Sequence, residues 1–283
     1  MEKTHSISRK PVEVSVIGTT LLLAATIFSP VLSGAITLTD NGSKAMIDPN
    51  SAAGMNWWDV DGVNNQLQKQ WFYYRTGGGL AQPINTISAA SILNLSGNQV
   101  SVIYTSPGSF SLQVDYTLNG GGVGSGNALI KENISILNLG TGSLDFHLFQ
   151  YSNFDLLGPD HDSVGIATTG SGYDSVVQWQ GAFGITEGII SPAANRAEAA
   201  LAFSTETSLT TIPGYDLNNN LSLLDGDVTW SFQWDNVIAG GDGLFIFKDK
   251  SMTIAPVPEP SSIALMALGL AAIRLTSRRR PVK

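Results

Sequence analysis

The chain has 283 residues, enough for one large or two small domains, and no cysteine, which excludes disulfide staples and thiolate chemistry. Lys and Arg number 15 against 23 Asp and Glu, a net charge of −8. That balance excludes a nucleic-acid binder that works by neutralising phosphates. It also excludes direct binding of an anionic polymer, unless a divalent cation bridges the two.

The chain opens on a basic stretch (Lys3, Arg9, Lys10), an apolar run from Val14 to Phe28, a break at Pro30 and the small residues Ser33, Gly34 and Ala35. This is the layout of an export signal and predicts cleavage by signal peptidase after Ala35; the alternative is an uncleaved anchor. Residues 1–35 are therefore read as a signal helix. Residues 36–255 then keep 7 basic and 20 acidic groups, a net of −13 that favours solubility and cation binding. A stretch of this length buries enough surface to fold without disulfides.

Within 36–255 the dominant period is two, as a half-buried strand requires. "WFYYR" puts Trp71 and Tyr73 on one face, Phe72 and Tyr74 on the other. "SFSLQVDYTL" places Phe110, Leu112, Val114, Tyr116 and Leu118 on one side. "QVSVIY", "NISI" and "SLDFHLF" continue the pattern, and "DVTWSFQW" closes it with Val228, Trp230, Phe232 and Trp234. Glycine-rich turns separate these runs: "LNGGGVGSGN", "GTGS" and "AGGDG". The pattern predicts an all-β fold, a single antiparallel β-sandwich or jelly roll. Only "SPAANRAEAALAF" reads as a helix, with Ser191 as N-cap and Pro192 in the first turn, or else as a loop.

Candidate chemistry is sparse. Of three histidines, His5 lies in the signal, His147 in a strand and His161 in "GPDHDS". No Ser/His/Asp or Cys/His pattern, no G-x-S-x-G and no zinc spacing is present, and His147 reads as a packing or surface residue. The Gly-rich run 120–126 leads into a strand, not a helix, so it reads as a hairpin loop and not a phosphate cradle. Two stretches have calcium-like spacing. "DLNNNLSLLDGD" sets Asp216, Asn218 and Asn220 at alternate positions and Asp227 twelfth, though Leu221 replaces the turn glycine of an EF-type loop. "FDLLGPDHD" groups Asp155, Asp160 and Asp162; Asp59 and Asp61 in "WWDVDG" are a lesser pair. Trp57, Trp58, Trp71, Tyr73 and Trp179 are candidates for stacking on a sugar, the alternative being strands covered on both sides.

The end of the chain has its own three-part layout: Pro258-Glu259-Pro260, an apolar run from Ile263 to Ile273, and Arg278, Arg279 and Arg280. As a helix that run spans about 17 Å against roughly 30 Å of hydrocarbon. It suits a transient membrane insertion better than a permanent anchor, and the arginines keep their end inside. In this order the parts resemble a PEP-CTERM sorting signal, over residues 256–283. The resemblance implies recognition at Pro258-Glu259-Pro260 by an exosortase, a membrane-embedded transpeptidase of Gram-negative bacteria found beside exopolysaccharide loci. It implies release or attachment of the remainder outside the cell. "QWFYYRTGG", "LDFHLFQYSNFDL" and "WSFQWDNVIAGGDGLFIFKDKSM" also resemble an ectodomain that recurs on PEP-CTERM proteins, a resemblance that brings no activity with it.

With export signals at both ends and a middle bare of catalytic motifs, the leading expectation is a non-enzymatic surface or matrix protein in an exopolysaccharide layer. The second is a carbohydrate-binding module, calcium-assisted or not. The third is a polysaccharide hydrolase or lyase, which needs facing carboxylates that spacing does not reveal.

Overall fold

The computed structural model describes residues 34–254, apart from 169 and 171. The expected signal helix, the sorting tripeptide, the apolar helix and the arginine cluster lie outside the described residues. The chain runs through β1 (Ile36–Asp40), β2 (Ser43–Asp48), β3 (Gly54–Val60), β4 (Leu67–Thr76), the short β5 (Gln82–Pro83) and a 3-10 turn at Ile84–Thr86. Next come β6 (Ser91–Ser96), β7 (Gln99–Ser106), β8 (Phe110–Asn119), β9 (Asn127–Asn138), β10 (Leu144–Phe154) and β11 (Asp162–Thr168). Then follow β12 (Tyr173–Gln180), β13 (Phe183–Ser191), β14 (Arg196–Leu201), helix α1 (Ser204–Thr211), β15 (Ser222–Gly226), β16 (Val228–Ile238) and β17 (Gly243–Thr253).

These strands form two antiparallel sheets. The first has the order β1-β2-β3-β4-β10-β16-β14, with β5 on β4; the second has β15-β11-β12-β13-β17-β9-β8-β7-β6. This is the all-β sandwich that alternation predicted. The alternating runs became β8, β10 and β16, whose inward residues are buried as written. Trp58, Phe154, Trp230, Phe232 and Trp234 fill the space between the sheets, with Phe154 stacked on Trp230 at 6.2 Å and 6°. Each large side chain buried this way contributes about 1.5–3 kcal/mol.

The interior also holds ions. Glu132 of β9, Glu187 of β13 and Lys248 and Lys250 of β17 are fully buried and paired with one another. Lys248 stands directly opposite Glu132 in the strand register and over the Phe72 ring, while Gln150 of β10 donates to Glu187 across the sandwich. Burial alone would raise the Glu132 carboxyl, but the two lysine charges outweigh it and hold it low.

The segment 191–203 holds strand β14 and not a helix. Arg196, Glu198 and Ala200 point to the outer face, where Glu198 is covered by Thr205 and Tyr215, while Ala197 and Ala199 point inward, a period of two that alanine-rich composition disguised. The Gly-rich run 120–126 is the β8–β9 hairpin loop, and carboxylates hold it: Asp40 accepts from the Gly120 N–H, and Asp61 from those of Gly124 and Gly126. A Cβ on Gly120 would come within 1.8 Å of the Asp40 carbonyl oxygen, so only glycine fits.

Candidate active site

The β4–β10–β16–β14 register builds the site. Gln150 points to the second sheet, so its odd-numbered neighbours on β10 face outward. Three successive rungs of that outer face read Arg75–His147–Asp235, then Tyr73–Phe149–Gln233–Arg196, then Trp71–Tyr151–Ser231–Glu198. Helix α1 and the loop after it lie across this face. Glu206 accepts hydrogen bonds from Lys69 Nζ (2.5 Å) and the Tyr73 hydroxyl (2.6 Å). Glu198 accepts from Thr205 (2.7 Å) and from the Tyr215 hydroxyl (2.7 Å). Burial and then Glu206 push the Tyr73 hydroxyl far up, and burial and then Glu198 push Tyr215 up to about 12, so both remain donors.

Past the end of the helix Asp216, Asp235 and Arg196 remain partly exposed, and His147 less so. Asp216 arrives from the 212–221 loop and meets the first rung. Donor atoms of His147, Asp216 and Asp235 all lie within 4.8 Å of one another, the one such group among the described residues. His147 Nδ1 lies 2.5 Å from Asp235 Oδ1, and its Nε2 faces Asp145 at 3.4 Å. Gln233 donates to both Asp216 and Asp235 (2.7 Å each), which ties the two carboxylates together. Arg75 donates to Asp216 Oδ1 at 2.9 Å and to the Tyr215 carbonyl at 2.6 Å. Arg196 adds a second positive charge 3.7 Å from Asp216 and 3.9 Å from Asp235. Burial raises the Asp216 carboxyl, but the hydrogen bonds from Arg75 and Gln233 and the two arginine charges outweigh it and hold the group below its ordinary range. Two guanidiniums thus face these carboxylates. The group is a charge-compensated, partly exposed set with an imidazole oriented by a carboxylate, the arrangement that moves protons.

The residues picked from sequence fall differently. Asp216, Asn218, Asn220 and Asp227 do not converge as an EF-type loop would have them. Asp216 bonds Gln233, whereas Asp227 precedes the first residue of β16, about 20 Å along the strand. Asn218 Oδ1 accepts from the Asn220 N–H as in a turn, and Asn220 donates to the Ala199 carbonyl. Asp59 is taken by Trp57 Nε1 and Lys44, and Asp61 by the glycine loop. The aromatic candidates do not share a surface. Trp58 is buried between the sheets, and Trp71 and Tyr73 are buried on the outer face of the first sheet. There Trp71 packs on Gly54, whose added Cβ would sit 2.3 Å from the ring at φ +59°. Trp57 is partly exposed on β3, and Trp179 lies on the outer face of the second sheet, 40% exposed. Sequence reading passed over Asp235, Arg75 and Arg196. The signal was present in the alternation, which puts His147 and Asp235 on the outward faces of their strands, but only the register makes them neighbours.

No curated protein matches the chain in sequence. Solved structures match it in fold. A bacterial glucoamylase complexed with acarbose aligns at a TM-score of 0.57 and 9% identity, over 84% of this chain and 34% of the glucoamylase. A galactose mutarotase related enzyme from Lactobacillus acidophilus aligns at 0.53 and 10% identity, over 79% of this chain and 98% of that one. A protein described as an aldose 1-epimerase from Escherichia coli K12 aligns at 0.52 and 9% identity, over 79% and 99%. The chain thus spans about a third of the glucoamylase and nearly the whole of the two smaller proteins. At these identities the likeness shows the fold alone, one shared with proteins described as a glucoamylase, a galactose mutarotase related enzyme and an aldose 1-epimerase. It corrects the expectation of a non-enzymatic structural protein, which rested on the lack of a linear catalytic motif. At the other end of the chain the match is to a sorting signal, and it implies processing by exosortase and export to the cell surface or beyond. The chain carries, at residues 256–280, a PEP-CTERM protein-sorting motif.

Proposed function

We propose that residues 36–255 form an exported carbohydrate-active enzyme that transfers a proton at the anomeric centre of an aldose, on the open part of the first sheet's outer face. The carrying observation is the His147–Asp235–Asp216 group, whose donor atoms lie within 4.8 Å of one another on a sheet face where two arginines neutralise the carboxylates. The proteins of like fold described as a galactose mutarotase related enzyme and an aldose 1-epimerase support this choice of reaction.

In this reading Asp235 holds His147 through Nδ1, the exposed Asp145 swings away from Nε2, and Nε2 takes the proton from the anomeric hydroxyl. The C1–O5 bond breaks, its electron pair goes to the ring oxygen, and that oxygen takes a proton from water at the exposed rim. Rotation about C1–C2 and the reverse steps return the other anomer. Arg75 and Arg196 keep the developing charge matched, and Asp216 accepts hydrogen bonds from sugar hydroxyls. Signal peptidase cleavage after Ala35 and transient membrane insertion of the 263–273 run complete the export route.

The test is the anomer interconversion rate of a panel of aldoses, followed by polarimetry with the purified protein. The wild type accelerates it for at least one sugar. His147→Ala loses roughly 10²–10⁴-fold of that rate, the usual worth of a general base. A wild-type protein that accelerates none of the sugars contradicts the reading.

A further inference from the structure

A second acidic cluster lies at the opposite end of the β10–β16 pair. Asp155 follows β10, Asp160 sits in the next loop, Asp162 opens β11 and Asp227 immediately precedes β16. Asp162 is completely buried. Its Oδ2 accepts from the Leu156 N–H (3.2 Å) and from Gln178 Nε2 (2.8 Å), while its Oδ1 has no hydrogen-bond partner. Asp227 Oδ1 and Gln180 Oε1 are also buried without a partner, and Gln180 is tied to this loop by a 2.8 Å bond to the Asp160 carbonyl. Among the described residues no lysine or arginine pairs with any of the four carboxylates. The nearest base, His161, is bonded to Asp225 at 2.6 Å.

A buried carboxylate oxygen without a donor costs stability unless a proton or a cation satisfies it. Burial, with the Asp155 and Asp227 charges adding to it, pushes Asp162 up to about 7 despite its two hydrogen bonds. The carboxyls of Asp155 and Asp227 are raised as well, by burial and then by Asp227 and Asp160 respectively. The cluster offers only oxygen donors, two of them on loops, which suits a hard cation with six to eight oxygen ligands and a tolerant geometry.

We propose that Asp155, Asp162 and Asp227, with Asp160 and Gln180 beside them, bind a calcium ion that ties the β10–β11 loop to the start of β16. Asp162 pairs with Gly226, the residue before Asp227, and accepts from the N–H of Leu156, the residue after Asp155, so the three are neighbours, though not a preformed group like that of His147. Binding draws them together through the 155–162 loop, which already bends through left-handed Leu157 and His161. The notion of two separate calcium loops in the sequence gives way to one site that takes Asp227 from one stretch and Asp155, Asp160 and Asp162 from the other.

Terbium luminescence of the chelator-stripped, purified full chain tests this. Trp230 donates to Gln178, which donates to Asp162, so an ion held there lies close to a sensitising indole. Saturable luminescence displaced by calcium is expected, together with a calcium-dependent rise in the unfolding midpoint. Asp162→Asn and, separately, Asp227→Asn weaken binding roughly 10–100-fold or more, while Asp216→Asn leaves it unchanged. Absence of terbium and calcium binding overturns the proposal. So does binding that survives both aspartate replacements, or binding lost on replacing Asp216.

Discussion

The two ends of the β10–β16 pair hold the same kind of residue under opposite conditions. At one end Asp216 and Asp235 meet Arg75, Arg196 and His147, and the set remains partly exposed. At the other end Asp155, Asp160, Asp162 and Asp227 meet no arginine or lysine among the described residues, and two of their oxygens are buried without a donor. The difference lies in the strand register. Arg75, His147 and Asp235 are cross-strand neighbours on one rung, so opposite charges are delivered together. The other cluster comes from strand ends and loops, where no register supplies a cation. Compensated carboxylates can orient an imidazole; uncompensated ones are left to take up protons or a metal.

The largest expected effect comes from carrying the uncompensated condition into the interior. Glu132→Ala leaves Lys248 and Lys250 buried with only Glu187 to face. Urea unfolding should show a loss of about 3–5 kcal/mol, the usual result of orphaning one side of a buried ion pair. A loss below about 1 kcal/mol would mean that the lysines shed their charge at little expense.

Next, Arg75→Ala makes the first end resemble the second. Arg75 is buried, lies over the Phe149 ring and donates charged hydrogen bonds to Asp216 and to the Tyr215 carbonyl. A destabilisation of about 1.5–3 kcal/mol is expected. NMR titration of Asp216 should show its carboxyl rising once the guanidinium is gone, and a carboxyl that stays where it was would break the comparison.

A pH-dependent effect belongs to Asp162. Its folded-state value of about 7 exceeds the ordinary 3.8, so between those values the folded protein holds a proton that the unfolded chain has released. Stability from this group therefore falls as pH rises through that window and is lowest above it. The unfolding midpoint of Asp162→Asn, measured against wild type, should gain between pH 4 and pH 8. Calcium at pH 8 should narrow that gap by stabilising the wild type alone. The smallest effect is at His161–Asp225, where both side chains are 76% exposed; Asp225→Asn, which suits the left-handed backbone there, should leave the midpoint unchanged.

How much of this was legible in the sequence differs between fold and site. The sandwich was legible because alternation in "SFSLQVDYTL" and "DVTWSFQW" is a local signal with a global cause, burial of one face. The 191–203 segment misled because alanine suits a helix and its alternation is faint. The site was hardly legible. His147 and Asp235 are 88 residues apart, Arg75 comes from yet another strand, β4, and their meeting depends on strand order and register, which no local spacing encodes. Asp216 and Asp162 were both noticed as acidic loop residues. Sequence could not tell that one would find two arginines and the other none.

In the proposed reaction sugar meets this protein at His147. The direct measurement is the imidazole NMR signals of the purified protein during titration with the aldose whose anomers it interconverts. His147 and His161 are the two histidines within 36–255, so the spectrum is simple. Saturable shifts at His147 with His161 unmoved are expected. Shifts confined to His161, or rate acceleration with both imidazoles undisturbed, would contradict the proposed reaction.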